Sequence, residues 1–470
     1  MKTKILILLT SSFIVIYIIF SIISDFDNNV VFTGDEWDYQ SIGVNSFYDH
    51  EFLTTGRLEE TEVYRFTELD DGKIRFWEGF SGSKAYHRVP FYPAFVSLTY
   101  KLFGIKPVVI KYIQLFILIL SGLLLVLIGK MAWGEKGFYI GYLSFITFVA
   151  FNYRYPAHLM PENWQFLFLS LITVSLLFHY RGSKVYSGIL GLTLGLSCLN
   201  KGTTFFLFPL IIVADLSCRR IRNNGHWKNL VIFISGFVFI TGLWSVYTSI
   251  ERNQLTFLST QTGDVLLDGN NEYCKDGLWH PEWRDRPDSW YNNDNPENKS
   301  GAIRVVNFYI SNPEFVSNLM AKFKSGFAPV QSFIAMISFY LVFLAFSICR
   351  KLSLDGTSCK LPAKKIIFLF LICLAICFAF LPGLFNNFLF FSAIALIFSL
   401  SVLWGKCLTK NLELPSEFFI IILNFFIFTL VFYVCNETYP SRYVRTMDGI
   451  LILLSFYLLF EIFGMFRKAH

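Results

Sequence analysis

The run Gly34-Asp35-Glu36-Trp37-Asp38-Tyr39 puts three carboxylates within four consecutive positions, shortly after an apolar stretch between Met1 and Phe26. Carboxylates are expensive to bury in a bilayer, and at its surface such a group can take a proton from a hydroxyl. The same residues also suit a helix start. Thr33-x-x-Glu36 has the spacing of a capping box, and acids favour a first helical turn. Asp38 and Tyr39 would continue that helix with Asp35 on their face. The two readings are compatible, because a capped helix end is a rigid mount for a base.

Four further stretches carry groups that could serve an anion. His87-Arg88-Val89-Pro90-Phe91-Tyr92-Pro93 holds an arginine in a proline-flanked turn, and a guanidinium there is a suitable fork for phosphate. Arg154-Tyr155-Pro156 is followed by Pro161-Glu162-Asn163, with Glu162 at the start of a helix. Asn200-Lys201-Gly202 sets a lone lysine between two short apolar spans. Tyr439-Pro440-Ser441-Arg442-Tyr443-Val444-Arg445 sits before the last apolar run. Each alone also reads as an interfacial anchor or a snorkelling side chain. Together they point to an anionic ligand.

The elements that must position these groups follow from composition. The 470 residues are 54% hydrophobic and 19% aromatic but only 16% charged, against about 25% charged in ordinary globular proteins. The charges cluster between apolar runs that match the roughly 20 residues needed to cross a bilayer. We expect an all-α polytopic membrane protein with about twelve spans. Their centres fall near residues 14, 118, 144, 171, 192, 209, 240, 340, 373, 394, 426 and 456, those near 144, 192 and 209 being short. Gly182, Gly188, Gly191 and Gly195 suggest close helix packing.

Several classes fall away. The net charge of +6 is spread over many short loops and does not suggest nucleic acid. The nine cysteines lie mostly in apolar spans, so no disulfide framework or zinc spacing is visible. No nucleotide-binding glycine loop occurs. Lys2 and Lys4 precede an apolar run from Ile5 to Ile23 without a small-x-small cleavage site, which reads as an uncleaved anchor.

Orientation follows from basic residues in short loops. With the amino terminus in the cytoplasm, inner segments hold nineteen Lys and Arg and the short outer loops four. Both termini are then cytoplasmic, and the segments 24–106 and 251–329 fall outside. They should fold against the outer mouth of the bundle with short amphipathic helices. We expect residues 1–329 to carry the catalytic module and residues 330–470 to complete the bundle. No internal repeat of the transporter kind is evident. An enzyme working at the outer face has no nucleotide sugars, so its donor should be lipid-anchored. A polyprenyl-phosphate sugar fits: cations hold the leaving phosphate while a carboxylate deprotonates the acceptor hydroxyl.

The Asp-Glu pair in the first outer loop, the Arg-x-Pro-x-Tyr-Pro of Arg88 to Pro93 and Leu102-Phe103-Gly104 together resemble the GT-C glycosyltransferases. The nearest likeness is to the family 39 branch: protein O-mannosyltransferases, lipid A aminoarabinose transferases and galacturonosyl transferase-like proteins. Pro161-Glu162, Leu199-Asn200-Lys201-Gly202, Ser259 to Gly263, Asp268 to Asn271 and Asn312-Pro313-Glu314-Phe315 extend it to about Pro329. The resemblance implies a GT-C fold and inverting transfer from a polyprenyl-phosphate sugar, and the Phe/Ile-rich bias and absence of a retention signal lean to a bacterial inner membrane. It makes Asp35 the catalytic base, with Glu36 supporting it and Glu162 a second acidic contributor. Arg88, Lys201, Arg442 and Arg445 would bind the donor phosphate, and His87, Tyr92 and Tyr443 the substrate. Some GT-C enzymes use a divalent metal and others none. The extra lumenal domain of protein-mannosylating members is absent, which favours a cell-envelope glycan or lipid as acceptor. The rival readings are an O-antigen polymerase or ligase, and a flippase or transporter of lipid-linked sugars.

Overall fold

The computed structural model describes residues 26, 35–48, 53–55, 61–68, 74–84, 88–217, 224–253, 256–258 and 310–313, with a few positions between 449 and 457. Expectations for the segments 1–25, 259–309 and 314–448 lie outside the described residues.

The acidic run opens helix α1, Asp35–Tyr48. A three-stranded antiparallel sheet follows, built from β1 (Leu53–Thr55), β2 (Thr61–Glu68) and β3 (Ile74–Lys84) in the order β1-β3-β2. The sheet departs from the expectation of an all-α chain. The run Ile74–Lys84 carries aromatic and small residues at strand spacing rather than a helical stripe. Helix α2, Phe91–Phe103, starts just after Pro90, whose fixed φ suits a helix entrance.

Helix α3, Pro107–Asn152, has 46 residues. A straight helix of that length would measure about 69 Å, far beyond a bilayer of about 30 Å. It is broken at Trp133 and Gly134, where Gly134 takes a φ of 65° that favours glycine. Beyond the break the chain folds back on itself. A Cβ built on Gly137 would lie 1.8 Å from the carbonyl oxygen of Gly129, so only a glycine pair permits this approach. Nearer the other end, Gly122 similarly faces Phe145 and Phe148. The spans expected near 118 and 144 are therefore the two arms of one helical hairpin.

Helices α4 (Glu162–Tyr180), α5 (Lys184–Asn200), α6 (Leu207–Ser217) and α7 (Asn224–Arg252) complete the described bundle. The expected close packing holds at Gly191 and Gly195. Cβ atoms there would meet the Phe233 carbonyl at 2.2 Å and the Ile240 side chain at 2.8 Å. Gly182 instead turns the chain between α4 and α5 with φ 91°. Helix α6 has 11 residues, and a one-turn 3-10 helix at Gly202–Phe206 leads into it.

Among the described residues, two helices are long and apolar enough to cross a membrane, Pro107–Asn152 and Trp227–Glu251. Apolar side chains stand exposed along both: Phe116 and Leu123 on α3, and Val231, Val238, Leu243, Val246 and Ile250 on α7. The chain divides into two compact units. One holds 1–125, 145–215 and 220–264; the other holds 126–144, 216–219 and 265–470. All of the site below lies in the first unit.

Candidate functional site

The core that carries the site is aromatic. Tyr39 and Val44 of α1, Tyr92, Val96 and Tyr100 of α2, Ile110 of α3 and Leu159 form one buried cluster, with Phe95, Met160 and Trp164 packed on it. Tyr39 and Tyr92 meet edge to face at 5.2 Å. Phe91 meets Trp164 and Phe168 in the same manner. This layer fixes α1 against α2 and against the segment that enters α4.

Asp35 and Asp38 lie one turn apart on α1, as their spacing predicts, and both face Arg88. The Arg88 Nη2 donates to Asp35 Oδ1 at 2.8 Å and its Nε to Asp38 Oδ2 at 2.7 Å. The guanidinium also sits over the Tyr39 ring, 5.1 Å from its centroid. Burial alone would pull the Arg88 charge down. Tyr39, Asp35 and Asp38 outweigh that and hold its pKa well above the ordinary value, so Arg88 stays charged. Arg88, a candidate for holding phosphate, is engaged here by two carboxylates. Asp35 is the most exposed of the three acids considered, with 38% of its side chain accessible against 21% for Asp38 and 2% for Glu36.

Glu36, one residue on, points about 100° around the helix and is used differently. Its Oε1 accepts from the Leu159 backbone N–H at 3.1 Å and contacts His158 Nδ1 at 3.2 Å. The carboxylate thus ties α1 to the segment between α3 and α4. That segment is held from a second side. The Tyr92 hydroxyl donates to Gln114 Oε1 at 2.8 Å, and Gln114 Nε2 donates to the carbonyls of Pro156 and His158. Burial first, then Tyr100, Glu36, Glu162 and Tyr39, push the Tyr92 phenol well above its ordinary pKa, so it remains a donor. Tyr92 was expected to touch substrate. It is fully buried and takes part in this brace.

Glu162 opens α4, as expected, and Lys201 lies just past the end of α5. Lys201 Nζ donates to Glu162 Oε1 at 3.0 Å, with the two side chains only 10% and 1% exposed. Lys201 is therefore not a lone outer cation but half of a buried ion pair. A polar chain continues from it. Asn200 Nδ2 donates to the Pro161 carbonyl and to Gln165 Oε1, and Gln165 Nε2 donates to Ser197 Oγ. Asn163 Oδ1, Trp164 Nε1 and Asn200 Oδ1 are buried without a hydrogen-bond partner among the described residues. Such atoms are uncommon in native proteins and mark where further polar groups could bind. His87, Arg442, Tyr443 and Arg445 lie outside the described residues. Among the described residues no group of three or more His, Cys, Asp or Glu is set to hold a metal.

Two groups went unnoticed in the sequence. His158 is one. The other joins three helices: His179 of α4 contacts Ser187 of α5 and Asp215 of α6, each at 2.8 Å and all buried. Ser187 Oγ already donates to the Ser183 carbonyl, so the His179 Nδ1–H must donate to it. The bond from Nε2 to Asp215 then needs one more proton, which makes the His-Asp pair neutral overall. Asp215→Asn can supply that bond from its amide and should fold nearly as well as the native chain. Asp215→Leu should lose about 1–3 kcal/mol, as for a buried polar atom left without its hydrogen-bond partner. Thermal denaturation of the detergent-solubilised chain separates them, and equal losses would refute the neutral pair.

Comparison with protein-family models, curated proteins and solved structures finds no match for this chain.

Proposed function

We propose that the protein is a multi-pass integral-membrane glycosyltransferase of the GT-C kind. It would move a sugar from a polyprenyl-phosphate donor to a glycan or lipid acceptor at the outer face of a bacterial inner membrane. The observation that carries this reading is the gathering of Asp35, Glu36, Asp38, Arg88 and His158 onto one end of α1, with a buried Glu162–Lys201 pair at the entrance of α4. These are the groups an inverting transfer needs: one to accept a proton, and charge to meet a departing phosphate. Asn163 Oδ1, Trp164 Nε1 and Asn200 Oδ1, which have no partner among the described residues, are suited to sugar hydroxyls. Exposed apolar side chains on α3 and α7 suit a lipid surround.

The test is transfer by the full chain reconstituted in lipid, supplied with polyprenyl-phosphate sugars and envelope glycolipid extracts. Sugar found on an acceptor by mass spectrometry supports the reading; its absence with every donor refutes it. Asp35→Asn removes one charge-assisted bond to Arg88 and the negative charge of that carboxylate. It should cut transfer roughly ten- to a hundredfold, the range for a lost charged hydrogen bond of about 1.5–3 kcal/mol. Native rates in that variant would remove Asp35 from the chemistry. A transporter would tolerate the change in a flipping assay and leave no glycosylated product.

A further inference from the structure

We infer that the base in this site is His158, oriented by the buried carboxylate of Glu36, and that Asp35 works through Arg88 instead. The inference rests on the transferase reading above and changes which atom receives the proton.

Three observations carry it. First, Glu36 is 2% exposed and directs Oε1 at both the Leu159 amide and the His158 Nδ1. A carboxylate that accepts both bonds fixes the imidazole with its proton on Nδ1 and its lone pair on Nε2. That is the pairing by which a carboxylate orients a histidine base. Second, the rest of the ring is open: 58% of the His158 side chain is accessible. Its backbone is nonetheless fixed, because the His158 carbonyl accepts from Gln114 at 2.7 Å and the Leu159 amide is tied to Glu36. An exposed base on a braced segment is what proton transfer to a bound substrate requires. Third, Asp35 is engaged. It is paired with Arg88 at 2.8 Å, so its Oδ1 already accepts a charge-assisted hydrogen bond.

In the step, the acceptor hydroxyl oxygen bonds to the anomeric carbon of the sugar as the bond from that carbon to the phosphate oxygen breaks. The polyprenyl phosphate leaves with the bonding electron pair. The hydroxyl proton passes to His158 Nε2, giving an imidazolium whose charge Glu36 balances. The exposed ring then returns the proton to solvent. Among the described residues, Tyr92 of α2 and Lys111 of α3 lie in electrostatic reach of the Glu36 carboxylate.

The experiment compares the native chain with His158→Gln and His158→Ala in the reconstituted transfer assay. Glutamine can keep the bond to Glu36 but has no basic nitrogen. Both variants should lose about 10²- to 10⁴-fold in kcat, the range for general-base help. Their donor KM and thermal midpoint should stay near native. Added imidazole should restore part of the His158→Ala rate, since the site is open. Transfer at native rates by His158→Gln would overturn the role of His158 while leaving the transferase reading intact. A native chain that transfers no sugar overturns both.

Discussion

Arg88→Ala is expected to lower kcat/KM for sugar transfer by about 10²- to 10³-fold, as when a preorganised donor to developing negative charge is removed. Arg88 is the one described cation that meets two acids of the first segment, with 17% of its side chain accessible. Its removal leaves Asp35 and Asp38 side by side on α1, which repels any phosphate brought near. It also loosens α1 from the turn before α2. The fold should suffer little, because partly exposed pairs contribute about 0–1 kcal/mol. Arg88→Lys should not recover the rate: an ammonium cannot form the two parallel bonds that Nε and Nη2 make to Asp38 and Asp35. Steady-state kinetics in lipid with varied donor, read beside a melting curve, decide the matter. Native kcat/KM in Arg88→Ala would remove the arginine from the reaction, and a collapsed melting curve would mark it as structural.

Lys201→Met is expected to produce the largest loss of stability, about 3–5 kcal/mol, because it strands Glu162 as a charge without its cation in the interior. The pair is nearly sealed, and the same chain end feeds the bonds from Asn200 to Gln165 and Pro161. The double change Glu162→Gln with Lys201→Met removes both charges and should recover most of that loss, since the desolvation of two ions goes with them. Thermal unfolding of the full chain in detergent, followed by size exclusion, reads both variants. If the double variant folds well but transfers no sugar, the pair has a role in the reaction beyond holding α4 to α5. If the single variant is as stable as the native chain, the buried pair does not hold these helices together.

The sequence made some of this legible and left the rest hidden for a common reason. Asp35 and Asp38 were legible as one face of a helix because a three-residue step in sequence is a neighbour in space. Glu162 as a helix start, and the glycines at 191 and 195 as a packing surface, were legible on the same local grounds. The adjacency of Asp35 and Glu36 was misleading. Neighbours on a helix diverge, so one reaches Arg88 and the other reaches a segment 122 residues away. Lys201 could not be paired with Glu162 from a separation of 39 residues, and it read as a free cation until the fold supplied its partner. His179, Ser187 and Asp215 come from three different helices and have no common spacing to betray them.

By itself, the order of residues determined that this is a mostly helical chain, with runs apolar and long enough for a membrane and acids concentrated after the first of them. Those properties depend on composition and on contacts within one or two turns. Only the tertiary structure decided which charges meet. A carboxylate is defined as a base, a brace or half of an ion pair by what surrounds it, and here the surroundings come from segments far apart in the chain. The role of His158 shows this most plainly: an ordinary loop histidine in the sequence, it becomes a candidate base only because Glu36 is folded against it.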